Sequence, residues 1–325
     1  MLNRQTFARY AWFVLGLNLL VIVWGVVVRA TGAGAGCGDH WPLCNGAVIP
    51  PAPQVKTLIE YGHRLTSGLA LIFVVGLVYF AFRAFPKGHS VRRGAVLALV
   101  FELTEALIGA GLVLLGHVAG NTSIHRGYTL TLHLVNTLLL LAALSLTAWF
   151  SVHLQKRIQT PKPRLRTILA LTALGLIVVA ISGGIAALGD TLFAAHSLAE
   201  GWRQDFSTAS HPFVRLRILH PILAVFLGLV LLGLTAHTVS RSEVTHTVRR
   251  LGIGLMLVVV AQLCLGVVNL VLMAPVPLQL LHLFLADLLW IAFVLLAVEL
   301  LWPDQGKSGR ILSAQDSLRR VTQLS

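Results

Sequence analysis

Residues 278–301 read LQLLHLFLADLLWIAFVLLAVELL, and this stretch of 24 residues decides the fold class. Its polar members are Gln279, His282, Asp287 and Glu299. About 20 apolar residues in a helix are enough to cross the roughly 30 Å hydrocarbon layer of a bilayer. Backbone groups in lipid must be hydrogen-bonded within the segment, so the stretch is predicted to be a transmembrane helix.

Seven further stretches have the same character. They are residues 10–28, 62–82, 94–116, 128–150, 167–188, 215–239 and 251–273. The whole chain is 56% hydrophobic and 11% charged, with a mean hydropathy of +0.83. Soluble domains carry about 25% charged residues. We therefore expect an all-α integral membrane protein with eight transmembrane helices.

The basic residues predict the orientation of the chain. The net charge is +13, but the Lys and Arg residues lie between the apolar runs, so we expect no nucleic-acid binding. Of the 25 basic residues, 18 fall on one predicted side. The positive-inside rule places that side, with both termini, in the cytoplasm. Segments 29–61 and 189–214 then lie outside. The first run is too long for a signal peptide, so we take it as a retained span of a multi-pass protein. The lack of an Arg- and Ser-rich transit extension favours the bacterial inner membrane.

The two halves of the sequence resemble each other. Each has a long outer segment after its first span and a short one before its fourth. EALIG at residues 105–109 aligns with QLCLG at 262–266. An internal duplication with parallel topology explains both features. We expect an N-terminal four-helix half over residues 1–157, a C-terminal half over 158–302 and a cytoplasmic tail over 303–325.

Four histidines stand near the outer ends of the even-numbered spans: His63, His133, His220 and His282. A single histidine of this kind can simply hydrogen-bond between helices. Four at one depth, on helices that all run inward, favour bis-histidine ligation of haem, which is flat and apolar. Pairing within each half gives one site with His63 and His133 and a second with His220 and His282.

Other polar residues lie near these predicted sites. Arg29, Arg64 and Arg217, with Arg215, suit charge-assisted bonds to haem propionates, although interfacial arginines also snorkel. Glu60 precedes His63 by three residues, which places both on one helix face. It is either an ordinary interfacial acid or a group that handles protons. Glu102, Glu105 and Asp287 are intramembrane acids to which the sequence assigns no role.

A cysteine pair lies in the first outer segment, where Cys37 and Cys44 are seven residues apart. Outer compartments of bacteria are oxidising. The pair is interpreted as a structural disulfide, as a redox-active pair that exchanges with a thiol–disulfide partner, or as part of a metal site with His40.

Four motifs together resemble the haem A synthase family over nearly the whole chain. They are TGAGAGCGDHWPLCNG at 31–46, EYGHR at 60–64, GDTLF at 189–193 and LRILHP at 216–221. The family oxidises the C8 methyl group of haem O to a formyl group, which gives haem A for cytochrome oxidase. One departure is Glu105, where the family pattern and the second half lead us to expect Gln.

The resemblance implies a role for each motif. The half with His63 and His133 would hold the substrate haem O, and the half with His220 and His282 a resident haem b that relays electrons. Glu60 would be catalytic, and Cys37 and Cys44 would correspond to the family's cysteine pair. The implied partners are a haem O synthase, cytochrome oxidase assembly factors and an electron donor, either a quinol or a redox protein. The sequence does not fix whether the protein is a homo-oligomer.

Two other functions fit parts of the pattern. A di-haem b-type protein that oxidises quinol and transfers electrons would share both bis-histidine sites, but it would not need Glu60 or the cysteine pair. A transporter with a proton relay would fit the duplicated halves, but it would hold no haem.

Overall fold

The computed structural model describes residues 3–153, 162–242 and 244–302. Its described residues form ten helices: α1 (Arg4–Ala30), α2 (Val55–Ala84), α3 (Ser90–Leu114), α4 (Ile124–Val152), α5 (Pro163–Leu192), α6 (Leu198–Phe206), α7 (Pro212–Arg217), α8 (Leu219–Val239), α9 (His246–Val271) and α10 (Val276–Leu301). The predicted boundary between residues 157 and 158 and the predicted tail 303–325 lie outside the described residues.

Eight helices are long and apolar enough to span a membrane, with α7 and α8 counted as one over Pro212–Val239. The predicted all-α fold with eight transmembrane helices is therefore confirmed. The helices extend beyond their apolar cores because polar caps satisfy the first backbone N–H groups. Asn3 accepts from the Thr6 N–H, Ser123 from the Arg126 N–H and Thr245 from the Val248 N–H.

Two parts of the loop segments differ from the prediction. Helix α2 begins at Val55 rather than at residue 62, so Glu60 lies inside the helix. The second long segment contains α6, a nine-residue amphipathic helix that was not predicted. The sixth span is also interrupted at Ile218. Pro221 accounts for this break, because it has no N–H to donate to the carbonyl of Arg217 four residues earlier.

The spans pack as two similar four-helix groups. In the N-terminal group α1 packs on α2 and α4, and α3 packs on α2 and α4. In the C-terminal group α8 packs on α5 and α9, and α10 packs on α5 and α9. The groups meet through α1, α4, α5 and α10. The four spans of each group therefore pack against one another in the same order.

Buried side chains join the two groups along α4 and α10. The Trp290 indole N–H donates to the carbonyl of Leu138 at 2.7 Å, and the Trp149 indole N–H donates to Glu299 at 2.9 Å. Leu141, Leu144 and their neighbours form the shared apolar core with α10. Large apolar side chains remain exposed on the outer faces of the spans, including Leu257 and Ile72, each 67% exposed. An apolar exterior of this extent suits lipid, and the protein is a multi-pass membrane protein.

Segments 31–54 and 193–211 lie at the same end of the spans, which is called the loop end below. The opposite end, called the basic end, includes Arg83, Lys87, Arg92 and Arg93 between α2 and α3.

Candidate functional site

The four predicted histidines lie at similar depths below the loop end. His63 is eight residues after the start of α2, and His133 is nine residues after the start of α4. His220 is eight residues into the span Pro212–Val239, and His282 is six residues into α10. At 1.5 Å per residue, these positions are about 9–14 Å from the helix starts.

Each N-terminal histidine packs against a glycine of the preceding span. A Cβ added to Gly25 of α1 would lie 3.3 Å from Cε1 of His63. A Cβ added to Gly109 of α3 would lie 3.8 Å from Cε1 of His133. The two imidazoles therefore occupy space that a larger residue on the neighbouring helix would restrict.

The C-terminal half repeats this relationship more tightly. A Cβ added to Gly183 of α5 would lie 2.8 Å from Cε1 of His220, and one added to Gly266 of α9 would lie 3.3 Å from Cε1 of His282. The same pairing of histidine with glycine thus occurs four times, once for each even-numbered span. The two halves share this local geometry as well as the four histidines.

The two C-terminal imidazoles face each other. Their ring centroids are 6.3 Å apart and the ring planes are nearly perpendicular, at 87°. Nδ1 of His220 lies 3.2 Å from the carbonyl oxygen of Val179 and 3.1 Å from Oγ of Ser182. Nε2 of His282 lies 3.3 Å from the amide nitrogen of Gln262, and its buried Nδ1 has no hydrogen-bond partner among the described residues.

The N-terminal imidazoles have a different environment. Nδ1 of His63 is buried and has no hydrogen-bond partner among the described residues. Nδ1 of His133 lies 3.3 Å from Oε1 of Glu105, at ion-pair distance but not aligned as a hydrogen bond.

Glu60 lies one helical turn before His63 and fastens the first loop to α2. It is 3% exposed. Its Oε2 accepts from the Cys37 backbone N–H at 2.8 Å, and its Oε1 accepts from the Arg64 guanidinium at 2.5 Å. Arg64 also donates to the carbonyl oxygens of His40 and Leu43, both at 2.7 Å. The acid and the arginine thus hold the cysteine loop against the first turns of α2, which also carry the histidine.

Cys37 and Cys44 form a disulfide, so the structural or redox-active interpretations of the pair remain and ligation of a metal by both thiolates does not. Among the described residues no group of three or more His, Cys, Asp or Glu side chains is placed to hold a metal ion. A metal held by the described residues would therefore have two protein ligands, as the histidine pairs offer, and a bound cofactor would supply its other ligands.

Arg217 fastens the second loop as Arg64 fastens the first. Its Nε donates to Asp205 at 2.5 Å and its Nη1 to Asp190 at 3.1 Å. Its Nη2 donates to the carbonyl oxygen of Gly201 at 3.0 Å. Helix α6 is therefore attached by its polar side to the end of the sixth span.

Arg29 connects the two halves at the loop end. Its Nη1 donates to the carbonyl of Ala187 at 2.8 Å and to the Thr191 hydroxyl at 2.6 Å, both on α5. Its Nη2 donates to Gln279 of α10 at 2.7 Å. The three arginines predicted to bind propionates are thus held in place by protein groups.

The glycines opposite the histidines were not predicted as site residues. Gly25 and Gly183 are glycines inside long apolar helices, where each costs about 1 kcal/mol relative to alanine. Such a residue usually has a packing or functional reason, and that signal was present in the sequence. Among the unassigned acids, Glu102 and Asp287 are buried in the spans, and neither touches a site histidine through a hydrogen bond or ion pair in the described residues.

Comparison with known proteins assigns the fold to a family. The family described as "COX15-CtaA: Cytochrome oxidase assembly protein" matches residues 8–294. This match covers all eight spans up to the last turns of α10, including the four histidines, Glu60 and the cysteine loop.

Individual relatives match over different lengths. A Thermus thermophilus protein named protoheme IX farnesyltransferase is 48% identical over 294 residues, which are 90% of this chain and 48% of that protein. A heme A synthase of Bacillus mycoides is 38% identical over 127 residues, or 39% of this chain and 41% of the relative. A heme A synthase of Bacillus cereus is 37% identical over the same length. The chain spans about half the length of the Thermus relative that it matches.

Proposed function

The chain belongs to the COX15-CtaA family of cytochrome oxidase assembly proteins, and from this premise we propose that it is a haem A synthase. In this proposal it oxidises the C8 methyl group of haem O to a formyl group. The observation that carries the proposal is the fourfold pairing of a histidine with a glycine at one depth, in two equivalent halves. The names of the Bacillus relatives support the same activity.

The residues present fit two haems. Two imidazoles that ligate one metal from opposite sides have nitrogens about 4 Å apart, since each metal–nitrogen bond is about 2 Å. The 6.3 Å between the His220 and His282 ring centroids is compatible with that separation. The glycines leave room beside the rings, and the buried Nδ1 atoms of His63 and His282 lack hydrogen-bond partners among the described residues.

We assign the two halves different occupants. His63 and His133 would hold the substrate haem O, and His220 and His282 a resident haem b. Bound in this way, the resident haem would supply reversible one-electron transfer. The two histidine sites share a helical interface through α4, α5 and α10, which would keep their separation fixed.

The loops would serve as caps over these sites. Glu60 and Arg64 hold the disulfide loop over the first half, and Arg217 holds α6 over the second. A capped site excludes water and favours controlled oxidation of a bound group. Glu60 would also handle a proton near the reacting methyl group, because it is the acid nearest to His63 in sequence and lies on the same helix face.

The arginines contribute unequally to propionate binding in this proposal. Arg29 and Arg64 each keep an Nε–H that has no partner among the hydrogen bonds described above, so each can serve a propionate at the rim. Arg217 is flanked by two carboxylates, Asp190 and Asp205, which would repel a third. We therefore propose that Arg217 acts mainly by holding the cap.

The Thermus relative suggests the source of the substrate. It is named for farnesyl transfer to protohaem, and more than half of its length has no counterpart in this chain. We propose that prenylation belongs to that other part, and that this chain receives farnesylated haem from an enzyme of that class. An oxidase under assembly would take the product. Dioxygen, reduced with electrons from a quinol or redox protein, would be the oxidant of the methyl group.

The proposed orientation follows the basic residues. The basic end would face the cytoplasm with both termini, and the loop end would face the outside of a bacterial inner membrane. The disulfide between Cys37 and Cys44 would then lie in an oxidising compartment.

The deciding experiment is haem extraction with mass analysis. The full chain would be expressed with a haem O synthase in a host that lacks haem A. Haem A or its hydroxymethyl precursor is the expected product. Haem O and haem B alone, from a red purified protein, would contradict the proposal and favour a di-haem b-type electron-transfer protein that oxidises quinol.

A further inference from the structure

The two halves differ at one pair of equivalent positions next to the histidines. Glu105 of α3 corresponds to Gln262 of α9 in the aligned motifs EALIG and QLCLG. Glu105 Oε1 lies 3.3 Å from Nδ1 of His133. The Gln262 amide nitrogen lies 3.3 Å from Nε2 of His282. A carboxyl group therefore faces Nδ1 of the histidine in one half, whereas a neutral amide faces Nε2 of the histidine in the other.

Glu105 is held in place by the helix that carries its histidine. The Asn136 amide donates to its Oε2 at 2.6 Å, and the Thr137 hydroxyl donates to its Oε1. Both donors follow His133 by one turn of α4. Asn136 is itself fixed, because its amide also donates to the carbonyl of Phe101 at 2.8 Å. Donors on two sides of the carboxyl group hold it in place and leave Oε1 beside the imidazole.

Nδ1 of His63 has no hydrogen-bond partner among the described residues, and the two C-terminal histidines contact neutral groups. Nδ1 of His220 contacts the Val179 carbonyl and the Ser182 hydroxyl. His282 contacts Gln262. Among the described residues, His133 is the one of the four that lies within ion-pair distance of a carboxylate.

We propose that Glu105 is a positioning residue that makes His133 a stronger electron donor to iron than the other three histidines. This inference rests on the proposed function, because it requires iron at His133. A carboxylate next to the outer nitrogen of a ligating imidazole fixes the ring orientation and raises the basicity of the ligand. A more basic ligand stabilises ferric iron, so the haem of the N-terminal half has the lower reduction potential.

This difference gives the duplicated halves their division of roles. The haem held through His133 is the more stable of the two in its ferric form, and the haem held by His220 and His282 is the more easily reduced. A single substitution between Glu and Gln thereby distinguishes two sites that otherwise share the histidine and glycine framework.

The test is a spectroelectrochemical titration of the full chain reconstituted with haemin. The variants are Glu105→Gln, Glu105→Asp and the mirror exchange Gln262→Glu. For Glu105→Gln, the lower midpoint potential is expected to rise by about 59 mV or more, which corresponds to a tenfold loss of preference for ferric iron in a one-electron couple. Glu105→Asp is expected to retain part of the effect, and Gln262→Glu to lower the other potential.

The outcomes separate this inference from the proposed function. A wild-type chain that binds no haemin contradicts the proposed function itself. Two bound haems whose potentials stay unchanged in Glu105→Gln and Gln262→Glu would overturn the inference and leave the proposed function standing. If Glu105→Gln does not retain haemin, Gln262→Glu decides: a lowered potential supports the role of the carboxylate, and an unchanged one refutes it.

Discussion

The imidazole of His220 packs so closely on Gly183 that one added methyl group would lie 2.8 Å from its Cε1 atom. Real Cβ contacts essentially never come this close, so either the ring or the helix would have to move. Gly183→Ala is expected to displace His220 and weaken haem retention in the C-terminal half. Overpacking of this kind costs about 1–3 kcal/mol, and a loss of that size in binding free energy lowers affinity by about 5- to 150-fold. The measurement is haem content per purified protein.

Gly254→Ala provides the matched control for this prediction. Gly254 also lies inside an apolar helix, and a Cβ there would meet nothing within 4 Å. The control is expected to keep its full haem content. Equal haem content in both variants would show that the close contact does not constrain the site.

His282→Ala is expected to remove one haem of two. His282 lies opposite His220, and no third His, Cys, Asp or Glu ligand is placed to replace it in the described part of the chain. The low-spin b-type spectrum should fall to about half of its wild-type intensity per protein. His246→Ala, at the start of α9, is the control, because that side chain is exposed and far along the helix from Gln262. A full low-spin spectrum from His282→Ala would refute the pairing.

Glu60 has two contacts, and two substitutions separate its proposed roles. Glu60→Gln keeps an oxygen that can accept from the Cys37 N–H and removes the negative charge beside Arg64. Glu60→Ala removes both. We expect both variants to bind haem and to lose most formyl production, by roughly the 10²–10⁴-fold typical of a lost acid or base. Haem A yield by mass analysis is the measurement.

Limited proteolysis distinguishes catalysis from loop anchoring in these variants. The loop 31–54 is expected to remain protected in Glu60→Gln and to become cleavable in Glu60→Ala. Wild-type haem A yield from Glu60→Gln would limit Glu60 to its structural role.

The paired substitution Cys37→Ser and Cys44→Ser is expected to loosen the same loop without unfolding the spans. Loss of a disulfide that closes so short a loop costs about 2.5 kcal/mol of chain entropy. The hydrogen bonds from Arg64 to the His40 and Leu43 carbonyls remain, and they limit the loss. Hydrogen exchange should accelerate in residues 31–54 and stay unchanged in α8 and α9. Unchanged exchange in the loop would show that Glu60 and Arg64 suffice to hold it.

The sequence predicted the features that depend on hydrophobicity and spacing. The eight spans follow from apolar length, and the common depth of His63, His133, His220 and His282 follows from their positions in those spans. The contacts between Gly183 and His220 and between Glu105 and His133 could not be predicted in this way. They depend on which faces of two helices meet, and a hydrophobic pattern does not specify those faces when the helices are apolar all round.

Local chemistry explains the other differences. Pro221 marks the break at Ile218, and the sequence contained that signal. Helix α6 is short and amphipathic. Its polar residues resemble a loop when helices are predicted only from long runs of apolar residues. The bonds of Arg217 to Asp190 and Asp205 join positions 27 and 12 residues away, and they became visible only once α6 was placed.

The orientation of the chain can be tested with single cysteines in a Cys264→Ser background. Cys37 and Cys44 are joined in a disulfide and do not react with maleimides, so each added thiol reports alone. Thr208→Cys places an exposed thiol at the loop end, and Lys87→Cys places one at the basic end.

In intact cells a membrane-impermeant maleimide is expected to label Thr208→Cys and to leave Lys87→Cys unlabelled until the membrane is permeabilised. The reason is the excess of Lys and Arg at the basic end, which the membrane potential and the insertion machinery retain in the cytoplasm. Labelling of Lys87→Cys in intact cells would reverse the orientation, and it would place the Cys37–Cys44 disulfide in a reducing compartment, where such bonds rarely persist.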